Sequence, residues 1–263
     1  MRSIVSRLSP DVIEVALAPA GMLLSRHNRL TRRQRLRAQQ HFPAPLALNE
    51  ALEQLDSALQ LKEWSGAGGL RLVLSNHWLR FAILPWSDSL TRPAERRALA
   101  LNVMEEIYGD CGTQEIRISE AGFRRPALAA ALPSYALQQL QLLSQEHALP
   151  LLSLQPLLMQ AFAACQGQLK GSDHAFACLE PGKLTLLTSS NHRWQSVQSR
   201  SPPYSVPPPV APMLTQLFAQ LEQLPQQTLL IGCGQQVTLQ SIAGVPVVNA
   251  ATGLEWPTPG AWE

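Results

Sequence analysis

Charge is what this chain has least of. Asp, Glu, Lys and Arg make up only 15% of its 263 residues, against roughly a quarter in ordinary soluble domains. Its polar surface must therefore be built largely of Gln, Ser and Asn, which suits a protein that works against partners. The net charge of +2 is too small to draw the whole chain to nucleic acid or to a membrane. Cysteine is scarce as well. Cys111, Cys165, Cys178 and Cys233 lie far apart, with no CxxC and no Cys/His pair. No metal site is expected, and free, mostly buried thiols in a reducing compartment are. Met1 to Arg7 lacks the apolar core of a signal peptide. The uncharged run Ala148 to Leu169 is broken by Pro150 and Pro156 and carries four glutamines, which a lipid-facing helix would have to satisfy. It is read as a short buried strand and a core helix, in a soluble chain. The phosphate loop G-x-x-x-x-G-K-S/T and the nucleophile elbow G-x-S-x-G are both absent.

At this length and 46% hydrophobic content, the chain is long enough for one large domain or two small ones. Val12 to Ala18 alternates as a half-buried strand should, and Pro19-Ala20-Gly21 turns it into Met22 to Ser25. Asn49 is placed to cap a helix carrying Leu52, Leu55 and Leu59. The middle of the chain is organised around Leu70 to Asp110. Leu70 to Leu74 and Trp78 to Leu84 read as a hairpin across Ser75-Asn76-His77. Pro93 opens a helix with Ala94, Ala98, Leu101, Met104 and Tyr108 on one stripe, ended by Gly109. Strands follow at Gln114 to Ser119 and Pro126 to Leu132, then a helix from Ser134 to His147, a strand at Leu151 to Leu154, and a helix from Pro156.

After about residue 172 the pattern restarts. Ala175 to Leu179, Leu184 to Thr188 and Trp194 to Gln198 read as three meandering strands. Next come a stiff proline-rich stretch from Ser201 to Pro212, a helix bearing Leu214, Leu217, Phe218 and Leu221, and the strand Thr228 to Ile231 ending in Gly232-Cys233-Gly234. Gly244 to Val248 is a last small strand, and the tail around Trp256, Pro257 and Pro259 is expected to be loosely held.

Six arginines, Arg26, Arg29, Arg32, Arg33, Arg35 and Arg37, crowd one stretch that holds no acid. Either this is a solvated loop or helix face, or it is an electrostatic contact with lipid or a partner. Each basic group near anionic lipid is worth about 1 kcal/mol. Aromatic residues do not interleave with the arginines, which argues against stacking on nucleic acid. Ser75 with His77, and Ser189 and Ser190 with His192, sit in turn-forming contexts and are read as turn residues rather than nucleophile–base pairs. Trp78 and Trp86 are read as core.

Taken together, the second half's order (three meandering strands, helix, strand with a Gly-x-Gly end, short helix, strand) resembles the actin-like (ASKHA, ribonuclease H-like) fold. The likeness is to the actin-like proteins of type IV pilus and type II secretion platforms, PilM-like proteins and the cytoplasmic domain of GspL. It is carried by Leu72 to Arg80 with Leu84-Pro85-Trp86, by Glu105 to Asp110, and by Leu229 to Gly234 followed by Gly244 to Val247. The resemblance implies an α/β (α+β) duplicated fold with two lobes around a cleft, expected here as residues 1–171 and 172–263.

In nucleotide-binding members of that fold, phosphates sit between two hairpin turns bearing an Asp and glycines. The corresponding turns here reach Gly21 and Gly182 but replace a donor with Pro19 and with Pro181, and lack the Asp-x-Gly pair. Gly232 and Gly234 alone keep the strand end that meets adenosine. Gly21, Gly182, Gly232 and Gly234 would line a nucleotide site only if binding of ATP and Mg were retained, and the expectation is no cofactor and no enzyme. The resemblance implies instead a cytoplasmic scaffold, peripheral to the inner membrane. It would grip the cytoplasmic tail of a pilus or secretion protein in the groove between subdomains, touch an assembly ATPase, and bind no nucleic acid. With no membrane span and no periplasmic domain in the sequence, it is closer to the free PilM-like form. The alternative is an actin-like ATPase or sugar-kinase relative with a noncanonical nucleotide site.

Overall fold

The alternation of Ile13, Val15 and Leu17 builds the first strand of a computed structural model that describes residues 11–88, 92–110, 112–119, 122, 124–169, 171–201, 209–250 and 254–257. In chain order, β1 (Asp11–Ala18), β2 (Gly21–Asn28) and β3 (Gln34–His41) meander, and α1 (Leu48–Leu59) leads to β4 (Leu70–Leu74). Then come β5 (Arg80–Leu84), α2 (Pro93–Tyr108), β6 (Gln114–Ile118), β7 (Ala127–Pro133), α3 (Ser134–Glu146), β8 (Leu151–Pro156) and α4 (Leu157–Cys165). The remainder is β9 (His174–Glu180), β10 (Lys183–Ser190), β11 (Arg193–Arg200), α5 (Val210–Phe218), β12 (Gln227–Gly232), β13 (Ser241–Ile242) and β14 (Val245–Asn249).

Two units share these elements, and neither is continuous in sequence. One comprises Met1–Trp78, Ser134–Gln160 and Glu255–Glu263; the other comprises Leu79–Pro133 and Ala161–Leu254. The sequence reading split the chain once, at 171/172.

The first unit is built on a five-stranded sheet of order β3-β2-β1-β4-β8. β1 to β3 are antiparallel, while β4 and β8 run parallel to β1. Leu70, Leu72 and Leu74 are buried while Arg71 between them is exposed, so the strand covers one face and leaves the other to polar groups. Leu52, Leu55 and Leu59 of α1 and Leu140 of α3 are buried. The two helices are tied by His147 Nε2 and Asp56 Oδ1 at 2.7 Å. The helix α1 starts two residues earlier than expected, with Ala47 as its N-cap. Asn49 lies inside it, and Glu50 accepts a hydrogen bond from Ala47 N at 2.9 Å, the back-reaching half of a capping box.

The second unit holds two sheets. The six-stranded one has order β11-β10-β9-β12-β14-β13, again three antiparallel strands followed by two parallel ones, with the short β13 added antiparallel at the edge. α5 packs its Val210, Met213, Leu214, Leu217 and Phe218 against Ala175, Ala177, Leu184, Leu186 and Leu230. The three-stranded sheet, β5-β7-β6, carries α2. The turn Asn191-His192 has both residues at positive φ (50° and 58°), the two-residue hairpin for which Asn is favoured.

Several sequence expectations change. β4 and β5 do not form a hairpin: β4 lies between β1 and β8, and β5 pairs with β7. Ser75 to Trp78 is a 3-10 turn in which Ser75 Oγ accepts His77 N (3.1 Å) and buried Asn76 Oδ1 accepts Leu158 N (2.9 Å). That bond serves the first turn of α4 and holds the chain where a hairpin would have reversed it. The buried stripe of α2 is also rotated. Ala100 and Met104 are buried with Leu101 and Val103 beside them, while Ala94 and Ala98 face solvent. Ala127, Ala129 and Ala131 line the facing strand, so close approach goes through Ala100 rather than a larger residue. Tyr108, 41% exposed, uses its hydroxyl to donate to Phe81 O at 2.9 Å.

Where the resembled order has a short helix between β12 and β14, residues 241–242 form β13 instead. Trp86 is exposed, its indole donating to Asp88. Trp256 is buried, and Glu255 pairs with Arg37 at 3.2 Å, so this part of the tail is held. Residues 202–208 of the proline-rich stretch, Cys111 and residues 258–263 lie outside the described residues.

The arginine-rich stretch is not a helix face: Arg26 lies in β2, Arg35 and Arg37 lie in β3, and Arg29, Arg32 and Arg33 lie in the exposed turn between them. Asp11, 1% exposed, accepts Arg26 Nε and Arg35 Nη1 on Oδ2, each at 3.0 Å, and Asn28 Nδ2 on Oδ1 at 3.4 Å. Arg26 also donates to the carbonyls of Glu63 and Ser65, tying the sheet to the turn that buries Trp64. Removing one partner of a buried pair leaves a charge without compensation, at about 3 kcal/mol or more. Asp11→Ala should therefore lower urea-unfolding stability by about 3 kcal/mol, whereas Arg35→Ala, whose side chain is 55% exposed, should cost about 1 kcal/mol or less. Gly21→Ala would put a Cβ 2.5 Å from the Gln40 carbonyl oxygen, and a loss of about 1–3 kcal/mol is expected from the same measurement.

Candidate functional site

The three glycine-bearing elements that would cradle a nucleotide are separated by unit. Gly182, Gly232 and Gly234 belong to the six-stranded sheet, where Gly232 pairs beside Leu179 and Cys233 N donates to Leu179 O at 2.7 Å. Gly21 opens β2 in the other unit.

Each element is occupied by the chain's own atoms. At the first turn, Ala20 is 1% exposed. The carbonyls of Pro19 and Ala20 accept Leu46 N and Phe42 N, both at 3.0 Å, so residues 42–46 lie over the turn. At the second, Pro181 and Gly182 (φ +74°) fit the central positions of a type II turn. Glu180 and Lys183 flank it as a cross-strand pair, 1% and 9% exposed. Burial pulls the Lys183 ammonium below its ordinary range, against the opposing attraction of the Glu180 carboxylate. At the third, a Cβ on Gly232 would lie 2.2 Å from Gln235 O and 3.2 Å from Val237 Cγ1. Gly234, at φ +72°, lets the chain fold back over the corner.

Cys165, Cys178 and Cys233 are buried and form no disulfide. Burial, with Cys233 adding to it, pushes the Cys165 thiol up to about 11, so it stays protonated and unreactive at neutral pH. Among the described residues no group of His, Cys, Asp and Glu could hold a metal ion, and no helix is long and apolar enough to cross a membrane.

The six arginines divide into two sets. Arg26 and Arg35 hold Asp11, and Arg37 holds Glu255. Arg29, Arg32 and Arg33 stand at the β2–β3 turn, exposed, and none takes part in an ion pair among the described residues. The turn is rigidly made. Asn28 Oδ1 accepts Leu30 N and Thr31 N at 3.0 Å, Asn28 O accepts Arg32 N at 2.8 Å, and Asn28 N donates to Arg33 O at 3.0 Å. Arg32 sits at φ +55°. Leu30, at the tip, is 85% exposed. Behind the tip, the open face of the sheet carries Glu14 paired with Arg71 at 3.0 Å. Arg29, Arg71 and Glu14 line an adjoining hollow of about 440 Å³ together with Ser153 and Gln155.

Sequence reasoning grouped all six arginines and missed Asp11, Leu30 and the Glu180–Lys183 pair. A signal for Asp11 was present. Two-residue closure at Pro19-Ala20 sets Asp11 opposite Asn28, two positions beyond the Ile13–Arg26 pair and on the same face.

No family model matches the sequence, and no curated protein matches it. Solved structures do match. A Bacteroides thetaiotaomicron protein of unknown function with an actin-like ATPase fold is 10% identical, over 89% of this chain and 85% of that one, with a TM-score of 0.61. The PilM–PilN type IV pilus biogenesis complex matches at 12% identity over 86% and 82%, with a TM-score of 0.54. The cytoplasmic domain of EpsL, an inner-membrane component of the type II secretion system of Vibrio cholerae, matches at 10% identity over 94% and 90%, with a TM-score of 0.51. At such low identity the likeness is one of fold. Together with two sheets that each run three antiparallel strands into two parallel ones, it identifies this chain as a protein of the actin-like fold.

Proposed function

We propose that this chain is a non-catalytic actin-like scaffold on the cytoplasmic face of an inner-membrane platform, in a pilus-assembly or type II secretion machine. There it binds the cytoplasmic tail of a membrane partner. The observation that carries the reading is the filling of all three nucleotide elements by the chain itself: the 42–46 segment over the first turn, the Glu180–Lys183 pair at the second, and Gln235 against Gly232. A fold that keeps its architecture while its own chain crowds the elements a triphosphate would approach retains its surfaces for protein recognition. The similar structures support the setting, since one is a complex named for type IV pilus biogenesis and another belongs to an inner-membrane secretion component.

Two measurements test this. A ligand present at a hundred times its Kd stabilises by about 2.7 kcal/mol, so a retained nucleotide site would raise the melting temperature by several degrees. Millimolar Mg-ATP should leave it unchanged, and a clear rise would favour an ATPase or sugar-kinase relative. Peptides spanning the cytoplasmic tails of inner-membrane proteins encoded beside this chain should include one that binds in calorimetry. If none binds, the scaffold reading fails.

A further inference from the structure

The geometry points to the β2–β3 tip as a docking point for an anionic lipid bilayer, with Leu30 entering the headgroup boundary and Arg29, Arg32 and Arg33 pairing with lipid phosphates. This deepens the reading above and rests on a protein that works against a membrane.

Four observations converge on it. First, the charge is uncompensated. The internal carboxylates Asp11 and Glu255 take Arg26, Arg35 and Arg37, and leave the three tip arginines unpaired among the described residues. Second, Leu30 is more exposed than any other large hydrophobic residue described, at 85%, and stands between Arg29 and Arg32. An apolar side chain ringed by cations matches the boundary between acyl chains and anionic headgroups. Third, the tip is preorganised by four hydrogen bonds to Asn28, so presenting these side chains costs little ordering entropy on binding. Fourth, the two hollows beside the tip, each lined by Glu14, Arg29 and Arg71, do not include Leu30, which stands exposed outside them. A fluid bilayer receives such a side chain without a shaped pocket, whereas a protein partner would need one. With a net charge of only +2, the attraction belongs to this patch and not to the molecule as a whole.

The test is sedimentation of the whole chain with vesicles of phosphatidylcholine carrying phosphatidylglycerol, against vesicles of phosphatidylcholine alone. Binding should require the anionic lipid and fall steeply with added salt. At about fivefold per arginine, the triple variant R29Q/R32Q/R33Q should bind on the order of a hundredfold more weakly. Leu30→Ser should weaken binding by about tenfold and leave the salt dependence in place. All four side chains are exposed, so unchanged thermal melts will show that each variant folds. The assignment is overturned if wild type ignores the anionic vesicles, if it binds both vesicle types equally, or if either variant binds as wild type does. Binding to polyglutamate without binding to vesicles would also overturn it, in favour of an acidic polypeptide. Tail-peptide binding reads the scaffold role separately: variants that lose vesicles but keep the peptide support both readings, and a wild type that binds vesicles but no peptide removes only the scaffold.

Discussion

A single buried carboxylate sets the geometry of the first sheet's basic end. Asp11 lies at the start of β1, on the face that also carries Ile13 and Val15. A charge so deeply placed is tolerated only when its oxygens are satisfied. Arg26 and Arg35 satisfy it from β2 and β3, and Asn28 from the last residue of β2. The carboxylate thereby links three strands, and through Arg26 it reaches the backbone around Trp64. It also determines what stays outside. Once Arg26 and Arg35 turn inward, Arg29, Arg32 and Arg33 between them form no ion pair among the described residues.

The two large sheets repeat one plan, and the plan's two hairpin turns have been altered by different means. Each carries proline in first place, Pro19 and Pro181, removing the same backbone donor. Beyond that they diverge. The first is covered by neighbouring backbone from residues 42–46, the second by side chains of opposite charge. The two turns thus differ in what lies beside them: backbone that occupies the carbonyls of the first, and a buried charge pair flanking the second.

Much of the architecture was legible because period-two alternation and turn chemistry act locally. β1, β2, β6, β7, β9 to β12 and β14 follow from patterns in five to eight residues, and the tight turns at Pro19, Pro181 and Asn191 from their residue types. The failures have a common cause, which is that the deciding partner is distant. Asn76 stops a hairpin because it binds Leu158, far along the chain. The face α2 buries is chosen by alanines in β7, not by the helix's own pattern. The polar, arginine-rich β3 reads as a solvated segment until the carboxylate that orders it is placed beside it. In the candidate site the glycines were found by type and position, but whether they face a ligand or the chain's own backbone depends on Gln40 and Gln235, whose carbonyls no local pattern locates.

The crowding at Gly232 bears on what point substitution can change in this protein. A glycine persists wherever something must come close, and a cofactor and a fold-back of the chain impose the same demand. Here the visitor is the chain's own carbonyl at residue 235. Exchanging prolines for better donors at 19 and 181 would leave that corner shut; opening it requires rerouting the peptide between β12 and β13. The close approach at Gly232 is therefore a property of the chain's path and not of any one side chain.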